Sequence, residues 1–387
     1  MRITILIICI ILTKSAISQQ LKKYSPLYVK DTLVINTGQT SPLKLWIHEL
    51  IIVDNKNYLK ITDKKNKNLL LYDLSKKRFD TIYIKNLWNN AAWHNLIGHI
   101  FVFNFNRIFI SGGHNELLMI NKDGNILDKW TYNKKDKYGD YYHLKFHRKN
   151  LIFINDSVFY GIHSLFINSD NPDNRRRIFN QNNIVKAKLI NDKIVCIKEF
   201  GNFYKNAEEL YCTHLSYKPS FVLNPIDSLV ILYFYKHDSI QIYKNEQLIK
   251  NADVSSIYKT SYKTYNQDLE KNEPGYFERY MVEEPGNIDV QYDKFRKLYY
   301  ILYRHRQNYK EIDGKINNEN DADFSIIILN RNFKKINEIV LKNEYKYTHK
   351  LFVLKEGVAI DYNHEFQPHL KENKLKFLIL DIDKYVK

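Results

Sequence analysis

The clearest patterning in the chain runs from Ile288 to Arg306. Ile288, Val290 and Tyr292 alternate with polar residues, Asp293 to Lys297 form a charged bend, and Leu298 to Tyr303 is aromatic or aliphatic on both faces. Alternation at period two predicts a strand half exposed on one side, and a continuous apolar run of this length predicts a strand covered on both. The stretch therefore reads as a hairpin inside a larger sheet assembly.

The same theme recurs. Leu69 to Asp73 is followed by a polar turn and Phe79 to Ile84; Leu117 to Asn121 by Lys122 to Asn125 and Ile126 to Tyr132; Ile240 to Tyr243 by Asn245, Glu246 and Leu248-Ile249; Ile326 to Asn330 by Arg331-Asn332 and Ile336 to Leu341. Phe377 to Asp381 begins a further copy just before the last residue. The interval between Leu117 and Ile240 is long enough to hide at least one degenerate unit, placed around Cys196 and Cys212. Units of about 50 residues built from short strands, the third ending in Asn or Asp, predict β-propeller blades. No stretch keeps a helical apolar period beyond about two turns, which excludes helical solenoids; the nearest candidates are Asn206 to Leu210 and Gln267 to Lys271. A single β-sandwich rarely needs so many strands. The expected fold is all-β, a six-bladed propeller, with seven blades as the alternative.

Leu27 to Ile35 is an early strand with no local partner. Pairing it with the C-terminal copy would close the ring and leave neither edge open. The longest insertion, Thr260 to Gly286, holds Glu273-Pro274-Gly275 and Glu284-Pro285-Gly286, both suited to type II turns, around the aromatic segment Tyr276 to Val282. It is expected to fold over one end of the ring. Glu311 to Asp323 is expected to be an exposed, mobile loop.

The N-terminus sets the expected address. Met1-Arg2 is a short basic start, Ile3 to Leu12 is apolar apart from Thr4 and Cys9, and Ala16-Ile17-Ser18 supplies the small residues that a signal peptidase reads. Residues 1–18 are expected to be a cleaved signal peptide and 19–387 one exported propeller domain, periplasmic or at the cell surface, monomeric, with no transmembrane segment after processing. Cleavage removes Arg2 and Lys14 from a chain of formal charge +16. The remaining lysines are scattered along the chain, which argues against nucleic acid as a partner.

Candidate chemistry is sparse. The dense basic run Arg175-Arg176-Arg177 follows Asn171-Pro172-Asp173-Asn174, and guanidinium groups fork onto carboxylates and phosphates; a turn-edge cluster is also what a solvated face looks like. Cys196 and Cys212 fall opposite each other if 193 to 200 and 208 to 215 form a hairpin, so a disulfide is possible in an exported chain, with two buried thiols as the other reading. The pairs His94/His99, His143/His147 and His364/His369 lack a third ligand at metal spacing; 143 and 147, on a strand, would stand about 13 Å apart. No metal and no cofactor is expected, and no phosphate-binding or nucleophile-elbow motif occurs.

Of 30 Tyr, 21 Phe and 4 Trp, most are expected in blade packing, with Trp88 and Trp93 as rim candidates. Tyr292, Asp293, Arg296, Tyr300, Arg304 and Arg306, together with Arg175, Arg176 and Arg177, form the ligand-binding candidate set. Against this stands the reading that Asp293 simply caps its turn.

The run Tyr292-Asp293-Lys294-Phe295-Arg296-Lys297-Leu298-Tyr299-Tyr300, with the signal peptide and the irregular blades, resembles the exported six-bladed propeller family known as domain of unknown function 4221, similar in architecture to TolB-like and NHL-like propellers. In the family pattern Arg follows the aromatic pair; here Ile301 follows, and Arg304 lies further on. The resemblance implies a fold and no activity. The functional expectation is an exported binding or scaffold protein for a glycan, peptide or protein ligand held near Thr260 to Arg306. The alternative is a propeller enzyme, a glycoside hydrolase or polysaccharide lyase, working at the central channel.

Overall fold

The computed structural model describes residues 27–38, 45–54, 56–63, 66–84, 100–112, 115–145, 151–165, 167, 171–202, 219–342, 350–363 and 368–386. Residues 1–18, Trp88, Trp93, His94, His99, His147, Cys212 and His364 lie outside them.

The described residues are dominated by short strands in antiparallel meanders. After β1 (Val29–Asn36) comes the sheet β2 (Leu45–Val53), β3 (Lys56–Asp63), β4 (Asn68–Asp73) and β5 (Arg78–Tyr83). Next are β6 (Ile100–Asn104), β7 (Arg107–Gly112), β8 (Glu116–Ile120) and β9 (Ile126–Thr131), then β10 (Tyr142–Lys145), β11 (Leu151–Phe153), β12 (Val158–Leu165), the helix α1 (Pro172–Phe179), β13 (Asn182–Ile190) and β14 (Lys193–Asn202). The strands from β6 to β14 form one nine-stranded sheet in which two meanders are joined by a single parallel pair, Lys193 with Thr131. The sheet β15 (Ser220–Asn224), β16 (Leu229–Tyr233), β17 (Ser239–Lys244) and β18 (Gln247–Asp253) follows. Two helices, α2 (Gln267–Asn272) and α3 (Tyr276–Glu283), precede the sheet β19 (Gly286–Asp293), β20 (Leu298–Arg304), β21 (Phe324–Leu329) and β22 (Lys335–Leu341). The last sheet takes β23 (Leu351–Val353), β24 (Val358–Asp361) and β25 (Lys374–Leu380), and its fourth strand is β1, antiparallel to β25 from Val29–Leu380 to Asn36–Lys374. The terminal strands pair as the sequence predicts.

The first strand of each meander is innermost. β15 lies against β19, β19 against β23, β23 against β2, and β2 against β6, which neighbours β11. Each large apolar cluster is shared by two successive meanders. Ile231, Ile242, Val290 and Ile301 join the β15 and β19 sheets, and Ile35, Ile47, Phe352 and Phe377 join the last sheet to the β2 sheet. β20 is buried along its whole length, because it faces clusters on both sides.

At the perimeter the outermost strands meet end to end. The amide of Tyr83 donates to the Lys122 carbonyl at 2.9 Å, that of Thr131 to Asp192 at 3.0 Å, and Lys335 Nζ to the Ser255 carbonyl at 2.9 Å. The arrangement is an all-β propeller.

Antiparallel connectivity gives the sheets two unlike ends. One carries tight turns in which an Asn or Asp side chain accepts the turn amides, as Asp73, Asn155, Asn224, Asp293 and Asn330 do. The other carries the long connections. Two sequence expectations change here. The Arg175 to Arg177 run is helical rather than a turn edge, since Pro172 starts α1 and Asn171 caps it. Strand β14, which carries Cys196, pairs along its length with β13 before it; Cys196 is half-buried, and the expected partner segment 208 to 215 is outside the described residues.

Candidate functional site

Three connections converge at the long-connection end: 234–238 after β16, 254–285 between β18 and β19, and 305–323 between β20 and β21. The middle one is organised by local signals. Asn266 caps α2 through the amides of Asp268 and Leu269. Glu273-Pro274-Gly275 makes the expected turn, with Gly275 at φ +82° and the Tyr276 amide donating to the Glu273 carbonyl at 3.1 Å. Helix α3 then buries Tyr276, Tyr280, Met281 and Val282, with Tyr265 packed on the two tyrosine rings.

Glu284-Pro285-Gly286 is not the second type II turn. Glu284 closes α3 in an extended conformation, and Gly286 opens β19. A Cβ on Gly286 would sit 2.6 Å from the Tyr235 carbonyl oxygen and 2.8 Å from its ring. Glycine is needed for close approach, not for a left-handed bend.

Glu284 is fully buried and is the junction of the site. Its Oε1 accepts from Arg306 Nη2 at 2.9 Å and its Oε2 from the Lys263 amide at 2.9 Å. Lys236 Nζ lies 4.0 Å from Oε2 and 3.5 Å above the centre of the Tyr280 ring. Arg304, 1% exposed, donates to the carbonyls of Met281 and Glu284 and so caps the C-terminal end of α3. Its other Nη reaches Glu319 at 3.3 Å, and its plane lies over Tyr235. Arg306 also binds Thr260 Oγ1 and the Ser261 carbonyl.

Beside this junction is a cavity of about 350 Å³ lined by Lys236, His237, Asp238, Ser239, Asp253, Ser255, Lys259 and Tyr262. Tyr262 OH donates to Asp238 Oδ1 at 3.0 Å and Lys259 pairs with Oδ2 at 2.5 Å. The Ser255 hydroxyl holds the Asp253 carboxyl below the usual range, and burial lowers His237 to about 4, so its ring is neutral at neutral pH. The Lys259 ammonium meets the Asp238 carboxylate, with Asp253, hydroxyls and an imidazole around them, while the Lys236 ammonium is turned toward Glu284 and the Tyr280 ring. The lining thus offers both donors and acceptors.

The residues singled out in the sequence do not gather in one place. Arg304 and Arg306 join the Glu284 junction. Tyr292, Asp293, Arg296 and Tyr300 lie at the tight-turn end, a full strand away. There Asp293 is fully buried and accepts from the amides of Phe295 and Arg296, from Arg296 Nη1 and from Tyr300 OH; the capping role accounts for it. Tyr300 is fully buried, its pKa raised by burial and by Asp293. Tyr292 stacks obliquely on Tyr299 at 5.0 Å. Arg177 is gripped by Asp136 and Asp140 and lies 4.4 Å over the Tyr138 ring, Arg176 is exposed beside Asp173, and Arg175 sits on the same helix.

Glu311 to Ile316 are exposed, as expected; Lys310 and Ile316 form a bridge, and Asn317 is buried and bound to the Asn308 carbonyl. Among the described residues no group of three His, Cys, Asp or Glu could hold a metal ion, and no helix is long and apolar enough to cross a membrane.

Sequence reasoning missed Lys236, His237, Asp238 and Glu284. The available signal was a charged triplet directly after the apolar run Leu229 to Tyr235, the place where a blade strand ends and a connection begins.

No protein-family model matches the chain, and no curated protein is similar to it. Among solved structures it is similar to a member of the domain of unknown function 4221 family from Bacteroides vulgatus ATCC 8482, with 18% identity, a TM-score of 0.69, and 92% of this chain and 98% of that one covered. A protein named as exported from Bacteroides fragilis NCTC 9343 (12% identity, TM-score 0.47, 93% and 98% covered) and the Swd1 β-propeller domain of Myceliophteria thermophila (7%, 0.34, 91% and 99%) are more distant. At these identities the likeness is one of fold: this all-β propeller chain shares its fold with the Bacteroides vulgatus protein.

Proposed function

We propose that the chain is an exported six-bladed propeller that binds a neutral, polyhydroxylated ligand, a glycan, in the cavity beneath the 254–285 connection. Six blades are supported by the four four-stranded sheets together with the two meanders that share one bridging pair, and by apolar clusters between every successive pair of these units. Export rests on the signal-peptide pattern of residues 1–18.

The observation that carries the ligand class is the lining itself, made by polar and ionisable residues, in which Lys259 stands among Asp238, Asp253, His237, Ser239, Ser255 and Tyr262. An apolar ligand would strand those groups without partners, and a strongly charged one would meet an opposing charge of its own sign. A sugar, whose hydroxyls donate and accept, satisfies both kinds. Binding is favoured over hydrolysis because a glycosidase needs a carboxyl held protonated. Asp253 is held the other way by Ser255, and both Asp238 oxygens already accept hydrogen bonds.

Calorimetric titration of residues 19–387 with a panel of neutral and acidic oligosaccharides tests this. A neutral member should bind, and Asp238→Asn, which weakens charge-assisted hydrogen bonds worth about 1.5 to 3 kcal/mol, should weaken it by roughly ten- to a hundredfold. Silence across the neutral members, or an Asp238→Asn protein that binds unchanged, refutes the proposal.

A further inference from the structure

The tight-turn end carries a second surface, made by three neighbouring sheets and remote from the cavity. The β15–β16, β19–β20 and β23–β24 turns are locked to one another. Asn224 Nδ2 donates to Tyr299 OH at 2.7 Å, and Arg296 reaches from its own turn to the carbonyls of Leu354 at 3.3 Å and Lys355 at 2.9 Å. Arg331, from the β21–β22 turn, grips Asp227. The result is a continuous platform rather than separate loops.

Its tips are apolar and its border is basic. Ile226 is 53% and Phe295 41% exposed at the summits of adjacent turns. Lys294, Lys297, Lys334 and Lys355 are exposed around them. The acids of the platform are largely spent internally: Asp293 on Arg296 and the turn amides, Asp227 on Arg331, and Asp383 on Arg296. Glu356 is the further exposed carboxylate on these turns. The Lys294 ammonium lies 5.2 Å over the Phe295 ring, which leaves the ring exposed beside the basic border, and the turns are already closed by Asn224 and Asp293.

We infer that this platform docks on an anionic phospholipid bilayer, with Phe295 and Ile226 entering the boundary between headgroups and acyl chains and the four lysines facing lipid phosphates. Charge complementarity selects an anionic over a zwitterionic surface, and the paired apolar tips favour a bilayer over a purely ionic polymer such as nucleic acid. Docked this way, the propeller turns its opposite end, with the cavity, toward solvent. The inference does not depend on what the cavity binds.

Co-sedimentation with phosphatidylcholine vesicles, with and without a quarter of phosphatidylglycerol, tests it on residues 19–387. Binding should appear with the anionic vesicles and fall with salt, since the Debye length is about 10 Å at 0.1 M. Each surface lysine is worth about fivefold in partitioning, so K294Q/K297Q/K355Q should lose on the order of a hundredfold. Phe295→Ser should weaken binding while leaving its salt dependence in place. All four positions are exposed, so the variants should melt with the parent, which separates lost docking from lost fold. Equal binding to both vesicle types, an unaffected triple variant, or capture of duplex DNA with no vesicle binding would overturn the inference.

Discussion

Replacing Glu284 by Gln tests the energetics of the junction directly. The carboxylate is fully buried, and so, at 1% exposure, is Lys236. Glutamine keeps an oxygen for the Lys263 amide but removes the charge that faces both Lys236 and Arg306. Removing one partner of a buried pair leaves an uncompensated charge and costs about 3 to 5 kcal/mol. Arg306 is partly exposed and can turn to water, so the lower half of that range applies, about 3 kcal/mol. Lys236→Met should cost less, because Glu284 keeps Arg306 and the Lys263 amide. The double variant removes both charges that cannot reach solvent, so it should recover at least 1 kcal/mol relative to the sum of the singles. Urea unfolding of the four proteins, read from the midpoint at constant slope, measures the cycle. If Glu284→Gln costs under about 0.5 kcal/mol, or the two changes simply add, the junction is not an electrostatic unit and the reasoning fails.

Two further outcomes follow from the fold. Burial lowers His163 to about 3 and His305 to about 4, against an ordinary value of 6.5. Between these limits the unfolded chain takes up protons that the folded chain refuses, so stability is fullest above pH 6.5 and declines as pH falls toward 4, by about 1.4 kcal/mol per pH unit for each histidine. Urea midpoints at pH 7, 6 and 5 should show the decline and His305→Gln should make it shallower; a flat profile contradicts the assignment. Deleting residues 19–36 removes β1 and bares the whole edge of β25. The cooperative thermal transition should disappear, and an unchanged melt would mean that the closing strand contributes nothing.

The strands were legible because their signals are local. The apolar runs at Leu69, Leu117, Ile240 and Ile326 all became strands next to a tight turn, and in three of them the closing Asp73, Asn121 or Asn330 is the residue whose side chain accepts the turn amides. The early strand at Leu27 to Ile35 was placed correctly from its lack of a neighbour.

The junction was not legible, because its causes are distant in sequence. Gly286 is required by the Tyr235 carbonyl, a contact between two sheets, whereas Pro285-Gly286 alone suggests a turn. Arg304 and Arg306 looked like part of a charged set with Asp293 and Arg296, yet a strand of seven residues separates the two pairs. Their partner Glu284 lies twenty or more residues upstream, across β19 and β20. The Arg175 to Arg177 run misled in a similar way: Arg177 is consumed by Asp136 and Asp140 from another connection.

The end-to-end ties fasten β5 to β9, β9 to β14 and β18 to β22, in addition to the apolar clusters between those sheets. A sheet held only at its inner edge could hinge open, whereas one tied at its rim shares the load with its neighbour. Separating the β5 and β9 strands at the Tyr83 to Lys122 bond requires either stretching the neighbouring tie at Thr131 or tilting the whole sheet about its innermost strand. Those neighbouring sheets are therefore held at the rim, where the strands are most exposed, as well as by their buried clusters. Opening the centre to a larger guest would also have to unfasten the outside.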